Sequence, residues 1–302
     1  MLHSIIKFGA RLRTSTVHAF SRRMNSRPIF TFLLIAASVA PVSATPLISR
    51  ELARFSVLAG GYATYGAGAH VSGAVGAASY ITGGAGSISA ADDVNTAGVA
   101  AALDELFSAQ QAITKMGTGT VLGATMAGKV SLAPGLYSAS ALTTAAGTIL
   151  TLDGGGADHP FWVFNIPTYL VTGASTKIEV VNAGANASVL WNTGGYVAMG
   201  ASTSFNGTVL SGAYISQGAG SKILCGNLYA ASYVSVSAGS RVTSTNCPGD
   251  VTWGGSELGL AAGFDLVDGV AQARLSLPAD VPATPAQVPE PGTTTMLVLA
   301  SV

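Results

Sequence analysis

Short apolar runs separated by small polar residues return along the second half of the chain at a nearly constant interval. Val197, Ile215 and Val234 lie 18 and 19 residues apart. Ser204-Phe205-Asn206-Gly207, Ile223-Leu224-Cys225-Gly226 and Arg241-Val242-Thr243-Ser244 repeat in step, as do Thr208-Val209-Leu210-Ser211 and Asn227-Leu228-Tyr229-Ala230. A pattern that repeats once per structural turn predicts a coil stacked on itself. Three short strands per coil, divided by Gly- or Ser-bearing corners, predict a mainly β fold: a β-solenoid of triangular section. Alternation within each strand turns Phe205, Leu224 and Val242 inward, and Ser204, Asn206 and Thr243 outward. Phe55-Ser56-Val57-Leu58, Tyr62-Ala63-Thr64-Tyr65 and Ala69-His70-Val71-Ser72-Gly73 fit the same template, so this N-terminal coil should join the stack.

Between the two regions the period changes. Val99, Leu103, Leu106, Gln110, Ile113 and Met116 recur at steps of three and four, with Phe107 beside them. That spacing predicts one long helix over about residues 91–116, started by Ala91-Asp92-Asp93, stopped at Gly117 and packed lengthwise on one solenoid face. Asp153-Gly154-Gly155-Gly156 reads as a turn before the dense strand His159 to Ile166, and Val189-Leu190-Trp191 as a further strand. Residues 251–277 lack the repeat and read as a capping segment or a stalk.

One phrase marks the corners. It runs Thr172-Gly173-Ala174-Ser175-Thr176, Gly200-Ala201-Ser202-Thr203, Gly218-Ala219-Gly220-Ser221 and Ala238-Gly239-Ser240, with looser copies at Tyr65-Gly66-Ala67-Gly68-Ala69 and Ala145-Ala146-Gly147-Thr148. Tight corners demand small residues and positive φ, which is reason enough for each copy taken singly. In register the copies also predict a ladder of small hydroxyls at a spacing of about 4.8 Å. Methyls there would exclude disordered water while hydroxyls anchor ordered water, a surface suited to an extended neutral partner.

The ends read differently. Arg22, Arg23 and Arg27 precede the apolar run Ile29 to Ala40, and Pro41-Val42-Ser43-Ala44 follows. This is the pattern of a secretory signal, so residues 1–44 are expected to be a leader, with Met1 or Met24 as its start. Residues 45–250 then form the folded domain, 251–287 a cap or linker, and 288–302 a tail. Val288-Pro289-Glu290-Pro291-Gly292 with the following apolar residues resembles a shortened PEP-CTERM sorting signal. A plain Pro-rich tail is the alternative. The resemblance implies a bacterial, exported protein, secreted or held at the cell surface, that meets a membrane only during export.

Charge narrows the function. Only 9% of residues are charged, 49% are hydrophobic and the formal net charge is zero. No basic footprint is visible outside the leader, so a nucleic-acid partner is not expected. The carboxylates of the domain are divided between the predicted helix and scattered turns, with none converging as glycosidic chemistry requires. His159 in Asp158-His159-Pro160 reads as a turn residue. An enzyme is therefore not expected, nor a cofactor or metal site. Cys225 and Cys247 lie about one coil apart and, in an oxidising setting, read as one disulfide.

In order along the chain, Phe55-Ser56-Val57-Leu58-Ala59-Gly60, His70-Val71-Ser72-Gly73, the central helix, Leu132-Ala133-Pro134-Gly135-Leu136-Tyr137, Leu150-Thr151-Leu152-Asp153, Phe161-Trp162-Val163-Phe164, Val189-Leu190-Trp191 and Phe205-Asn206-Gly207-Thr208-Val209-Leu210 resemble the type I ice-binding (antifreeze) protein-like family of cold-adapted bacteria, algae and fungi. The likeness covers about Glu51 to Asn246. It implies a right-handed, discontinuous parallel β-helix with a long helix along one face, and an ice crystal surface as partner of a monomer. It also implies binding through a flat Thr/Ser/Ala-rich face, on which some members carry Thr-[Ala/Gly]-x-[Thr/Asn] repeats. Thr172-Gly173-Ala174-Ser175 approximates that repeat, whereas the other copies lack its first Thr, which implies moderate potency. The expected ice contacts are Thr64, Ser72, Thr148, Thr172, Thr176, Thr203, Ser216, Ser221, Ser235 and Ser240. The competing reading is an adhesive extracellular-matrix module that binds polysaccharide by stacking Tyr62, Tyr65, Tyr214 and Tyr233 on sugar rings.

Overall fold

The computed structural model describes residues 45–83, 92–184, 187–244 and 263–274. Three parallel sheets of seven, eight and nine strands form the sides of a solenoid, and a small antiparallel sheet of three strands is hydrogen-bonded separately from them. Each coil contributes one strand to each side. The coil starting at Ser188–Thr193, for example, continues through Val197–Met199 to Ser204–Asn206.

The order of coils is not the order of the chain. Phe55–Ala59 pairs with Leu228–Ala230 on one side and with Ala74–Ala77 on the other. The chain thus enters the stack at Phe55–Ala59, runs outward through Ala74–Ala77 to Asp92–Val94 at one end, and re-enters at the opposite end, at Thr120–Val121. It coils back until Leu228–Ala230 meets the N-terminal coil. The expected N-terminal coil joins the stack in all three sheets.

Two cores hold this arrangement. Inside the solenoid, Leu142, Leu170, Val197, Ile215, Val234 and Ala63 form one fully buried column, and Leu150, Ile178, Phe205, Ile223, Val242 and Val71 form another. Phe164 stacks on Trp191 with centroids 3.8 Å apart. In the strand Lys222–Leu224 the inward residue is Ile223, which pairs with Phe205, and Leu224 faces outward. That corrects the sequence reading: adjacent Ile and Leu are both apolar, so alternation alone could not choose between them.

The second core lies between the nine-stranded sheet and the long helix. Helix α1 (Arg50–Ala53) is a single turn, and α2 spans Ala97–Thr114. Val99, Ala102, Leu106, Ala109, Ala112 and Ile113 of α2 bury against Leu58, Val163, Leu190, Leu210 and Tyr229. The start expected near residue 91 is displaced. Asp92–Val94 is a strand paired with Ala74–Ala77, and Thr96 is the N-cap, its hydroxyl accepting from Val99 N–H at 3.2 Å. Asp93 instead pairs with Arg54. Phe107 points to solvent.

Polar contacts fix the helix in place. Asn165 Nδ2 donates to the Ile113 and Gly117 carbonyls, and Asn192 Nδ2 to the Gln110 carbonyl, satisfying backbone acceptors of the last turn. Glu105 accepts from Ser49 Oγ at 2.9 Å and Leu52 N–H at 3.0 Å, tying α1 to α2. In the described part of the non-repeating segment, Phe264–Val267 and Val270–Ala273 form a hairpin that pairs with Thr45–Pro46. Phe264 and Ala271 bury into the helix-side core. With the helix on one side, two solenoid faces stay uncovered among the described residues.

Candidate functional site

The eight-stranded sheet is one of these faces, and its strands carry no charged residue. Its outward column is Thr125, Thr143, Val171, Ala198, Ser216, Ser235, Thr64 and Thr82, each directly paired with the next. Every member is at least partly accessible. Thr125 and Thr143 share a hydroxyl–hydroxyl bond of 3.0 Å. The rungs are set by the parallel ladder, so the column is straight and evenly spaced at about 4.8 Å.

Two residues before six of these eight positions runs a column that sequence reasoning missed. Tyr169, Tyr196, Tyr214, Tyr233, Tyr62 and Tyr80 stack ring on ring, with centroids 4.8 to 5.4 Å apart and planes within 16° of parallel. The signal was present, since Tyr196, Tyr214 and Tyr233 each precede a member of the Val197 repeat by one residue. Inside this ladder each ring face is turned to a neighbouring ring. The ladder runs alongside the Thr/Ser column. Partial desolvation, reinforced by Tyr214 and Tyr62, pushes the Tyr233 phenol above its ordinary range.

On the other side of the Thr/Ser column lies the corner phrase. A Cβ on Gly173 would come within 2.5 Å of the Ala146 amide nitrogen of the adjacent coil, so only glycine fits. Ser175, Ser202, Gly220 and Gly239 take φ values of 57° to 68°, the left-handed corner residue. After this turn the chain heads into the next side, and the following Thr or Ser points inward.

That geometry divides the ten expected contacts. Thr148, Thr172, Thr176, Thr203, Ser221 and Ser240 are buried, and a side chain inside the coil cannot touch a surface partner. They bond each other and the corner carbonyls instead. Thr144 and Thr176 hydroxyls meet at 2.8 Å and those of Thr172 and Thr203 at 3.2 Å, while Ser221 Oγ donates to Gly218 O at 2.6 Å. Thr64, Ser216 and Ser235 stand in the outward column. Ser72 lies apart, following His70–Val71 of the seven-stranded sheet, with its hydroxyl on the Val242 carbonyl. Of the tyrosines expected to meet sugars, Tyr65 is buried and Tyr62, Tyr214 and Tyr233 are members of the ladder.

Cys225 is disulfide-bonded, and Cys247 lies outside the described residues, as do the leader and the Pro-Glu-Pro tail. Among the described residues no group of three or more His, Cys, Asp or Glu could hold a metal ion, and no helix is long and apolar enough to cross a membrane.

Comparison with known proteins agrees with this architecture. An ice-binding protein from the Antarctic ascomycete Antarctomyces psychrotrophicus superposes with a TM-score of 0.58 at 27% identity, over 68% of this chain and 100% of that one. The sequence is 34% identical over 103 residues to an ice-binding protein of Nostoc sp. (strain HG1), covering 34% of this chain and 38% of the relative. It is 28% identical over 120 residues to ice-binding protein 1 of Shewanella frigidimarina, covering 39% of this chain and 13% of the relative. The matches thus span only a minor part of these two relatives' length. The profile of the ice-binding-like family matches residues 56–242, from the first core strand to the last strand of the final coil, and the chain therefore belongs to the ice-binding-like family.

Proposed function

We propose that the chain is an exported ice-binding protein that adsorbs, as a monomer, to ice through the eight-stranded sheet and restrains crystal growth and recrystallisation. The observation that carries this reading is the uninterrupted outward column from Thr125 to Thr82, uncharged and of small side chains, on a face the helix leaves free. Its methyls exclude disordered water, and its hydroxyls, at a spacing near an oxygen repeat of ice, hold ordered water. The tyrosine edge extends the array by a second row of hydroxyls in the same register. The family relationship, and the names of its relatives, support the same partner. A binding role, with no catalysis, fits carboxylates that do not converge.

The competing matrix reading is less well supported in its stacking mechanism. Sugar rings stack on aromatic faces, and the inner faces of this ladder are already covered by other tyrosines.

The test places bulk on the column. Ser216→Tyr and Ser235→Tyr should each abolish most thermal hysteresis and retention in an ice-affinity pull-down. The melting temperature should stay within about 2 °C, as expected for surface changes. Full activity in both variants and in Thr64→Tyr would refute the assignment of this face.

A further inference from the structure

The seven-stranded sheet is the second uncovered face, and its chemistry is opposite. Its first outward column reads Lys129, Ile149, Lys177, Ser204, Lys222, Arg241 and His70, paired rung by rung. Lys129, Lys177, Lys222, Arg241 and His70 are all exposed. Residues 45–302 hold eight basic residues against fourteen acidic ones, and four of those eight stand in this single column. Arg54 and Arg274 elsewhere are paired with carboxylates, but no ion pair among the described residues engages the column. An acidic domain has therefore gathered half its cations in single file on one flat face. Because each coil supplies at most one of them, the sequence shows no basic cluster, and the expectation that no basic footprint exists outside the leader is corrected here.

The spacing describes a partner. The lysines occupy alternate rungs, about 10 Å apart, followed by Arg241 and His70 on successive rungs, and the whole column runs about 29 Å along the solenoid axis. Beside it lies a mixed column of Ser131, Thr151, Glu179, Asn206, Leu224 and Thr243. We propose that this face binds a linear anionic polysaccharide bearing spaced carboxylates, laid along the column. Lysines meet successive carboxylates as point charges, Arg241 can take one in a two-pronged contact, and the neighbouring hydroxyls meet sugar hydroxyls. Nucleic acid fits less well. Duplex DNA carries a charge every 1.7 Å or so, which a one-residue-wide file neutralises poorly. Among the described strands of this face the one Phe, Tyr or Trp is Phe205, which is buried, so no such ring offers a platform for single-stranded bases. Binding here would leave the eight-stranded sheet open, so the two faces could be occupied at once.

The experiment titrates the full-length protein with sodium alginate, dextran and duplex DNA at about 20 mM and about 500 mM salt. Alginate should bind at low salt, at least about tenfold more weakly at high salt, and dextran should not bind. Lys177→Gln with Lys222→Gln should weaken alginate binding about tenfold, while Lys115→Gln, on the helix, should not. The double variant should keep its melting temperature and its thermal hysteresis. Undiminished alginate binding in the double variant, equal binding of dextran, or preference for DNA would each overturn the proposal. Ser235→Tyr separates it from the ice-face reading, because that variant should keep alginate binding whether or not it loses ice.

Discussion

Two columns rich in small hydroxyls run along the solenoid, only a few residues apart in each coil, and they do opposite things. Thr148, Thr176, Thr203, Ser221 and Ser240 follow the left-handed corner residue and point inward, where they bond to corner carbonyls and to each other. Thr64, Ser216 and Ser235 precede the corner and point outward in line with Thr125 and Thr143. The same residue types at the same period serve as internal cement in one column and as an open array in the other. What separates them is parity: in each coil the two positions lie five residues apart across the corner, an odd step, so the in–out alternation puts them on opposite sides of the wall.

The sharpest way to break the inner column is through its neighbouring glycine. Gly173→Val would drive a side chain into backbone atoms of Ala146, Ala145 and Thr144, none of which can move without separating the coils. A loss above about 4 kcal/mol is expected, enough to prevent folding or lower the urea midpoint severely. Ala174→Val, one residue on and exposed, should change stability by no more than about 0.5 kcal/mol. Equal stabilities of the two variants would show that the coils do not approach as described.

Much of this architecture was legible in the residues. Coil period, three strands per coil, the lengthwise helix and the N-terminal coil that completes the stack all follow from where Val, Ile, Leu and Phe recur, because burial imposes that spacing directly. Less legible features depend on contacts between distant residues. Asp92 and Asp93 look like a helix start, yet a strand partner in Ala74–Ala77 and the cap at Thr96 move the helix onward. Hydroxyl position at a corner depends on which residue takes positive φ, and Ser175 or Ser202 does so without being glycine. The lysine column is spread from Lys129 to Arg241, and only stacking assembles it.

A gentler change tests the cement role. Thr203→Val keeps shape but removes the hydroxyl that lies 3.2 Å from Thr172 Oγ1 and 3.3 Å from the Gly173 carbonyl. One buried hydrogen-bonding group lost without a cavity should cost about 1–2 kcal/mol by urea unfolding. Thermal hysteresis per folded molecule should be unchanged, the reverse of the Ser235→Tyr outcome. A loss of hysteresis without a loss of stability would return the inner column to the ice surface.

The smallest effect is a gain. Within the outer column the third and fourth rungs, Val171 and Ala198, lack a hydroxyl, flanked by Thr143 on one side and Ser216 on the other. Val171→Thr is nearly isosteric, and Ala198→Thr adds a methyl and a hydroxyl on an accessible position of an extended strand, where β-branched residues are favoured. Neither side chain has a charge to roughen the face. The pair would make the column hydroxyl-bearing at every rung from Thr125 to Thr82 while the Tyr ladder beside it keeps its register. If the outer column orders water as a continuous array, completing it should raise thermal hysteresis modestly at equal concentration, with stability within about 0.5 kcal/mol of the parent. A fall in hysteresis would mean that the apolar gap at Val171 and Ala198 is itself part of the contact, and that exclusion of water there matters more than its ordering.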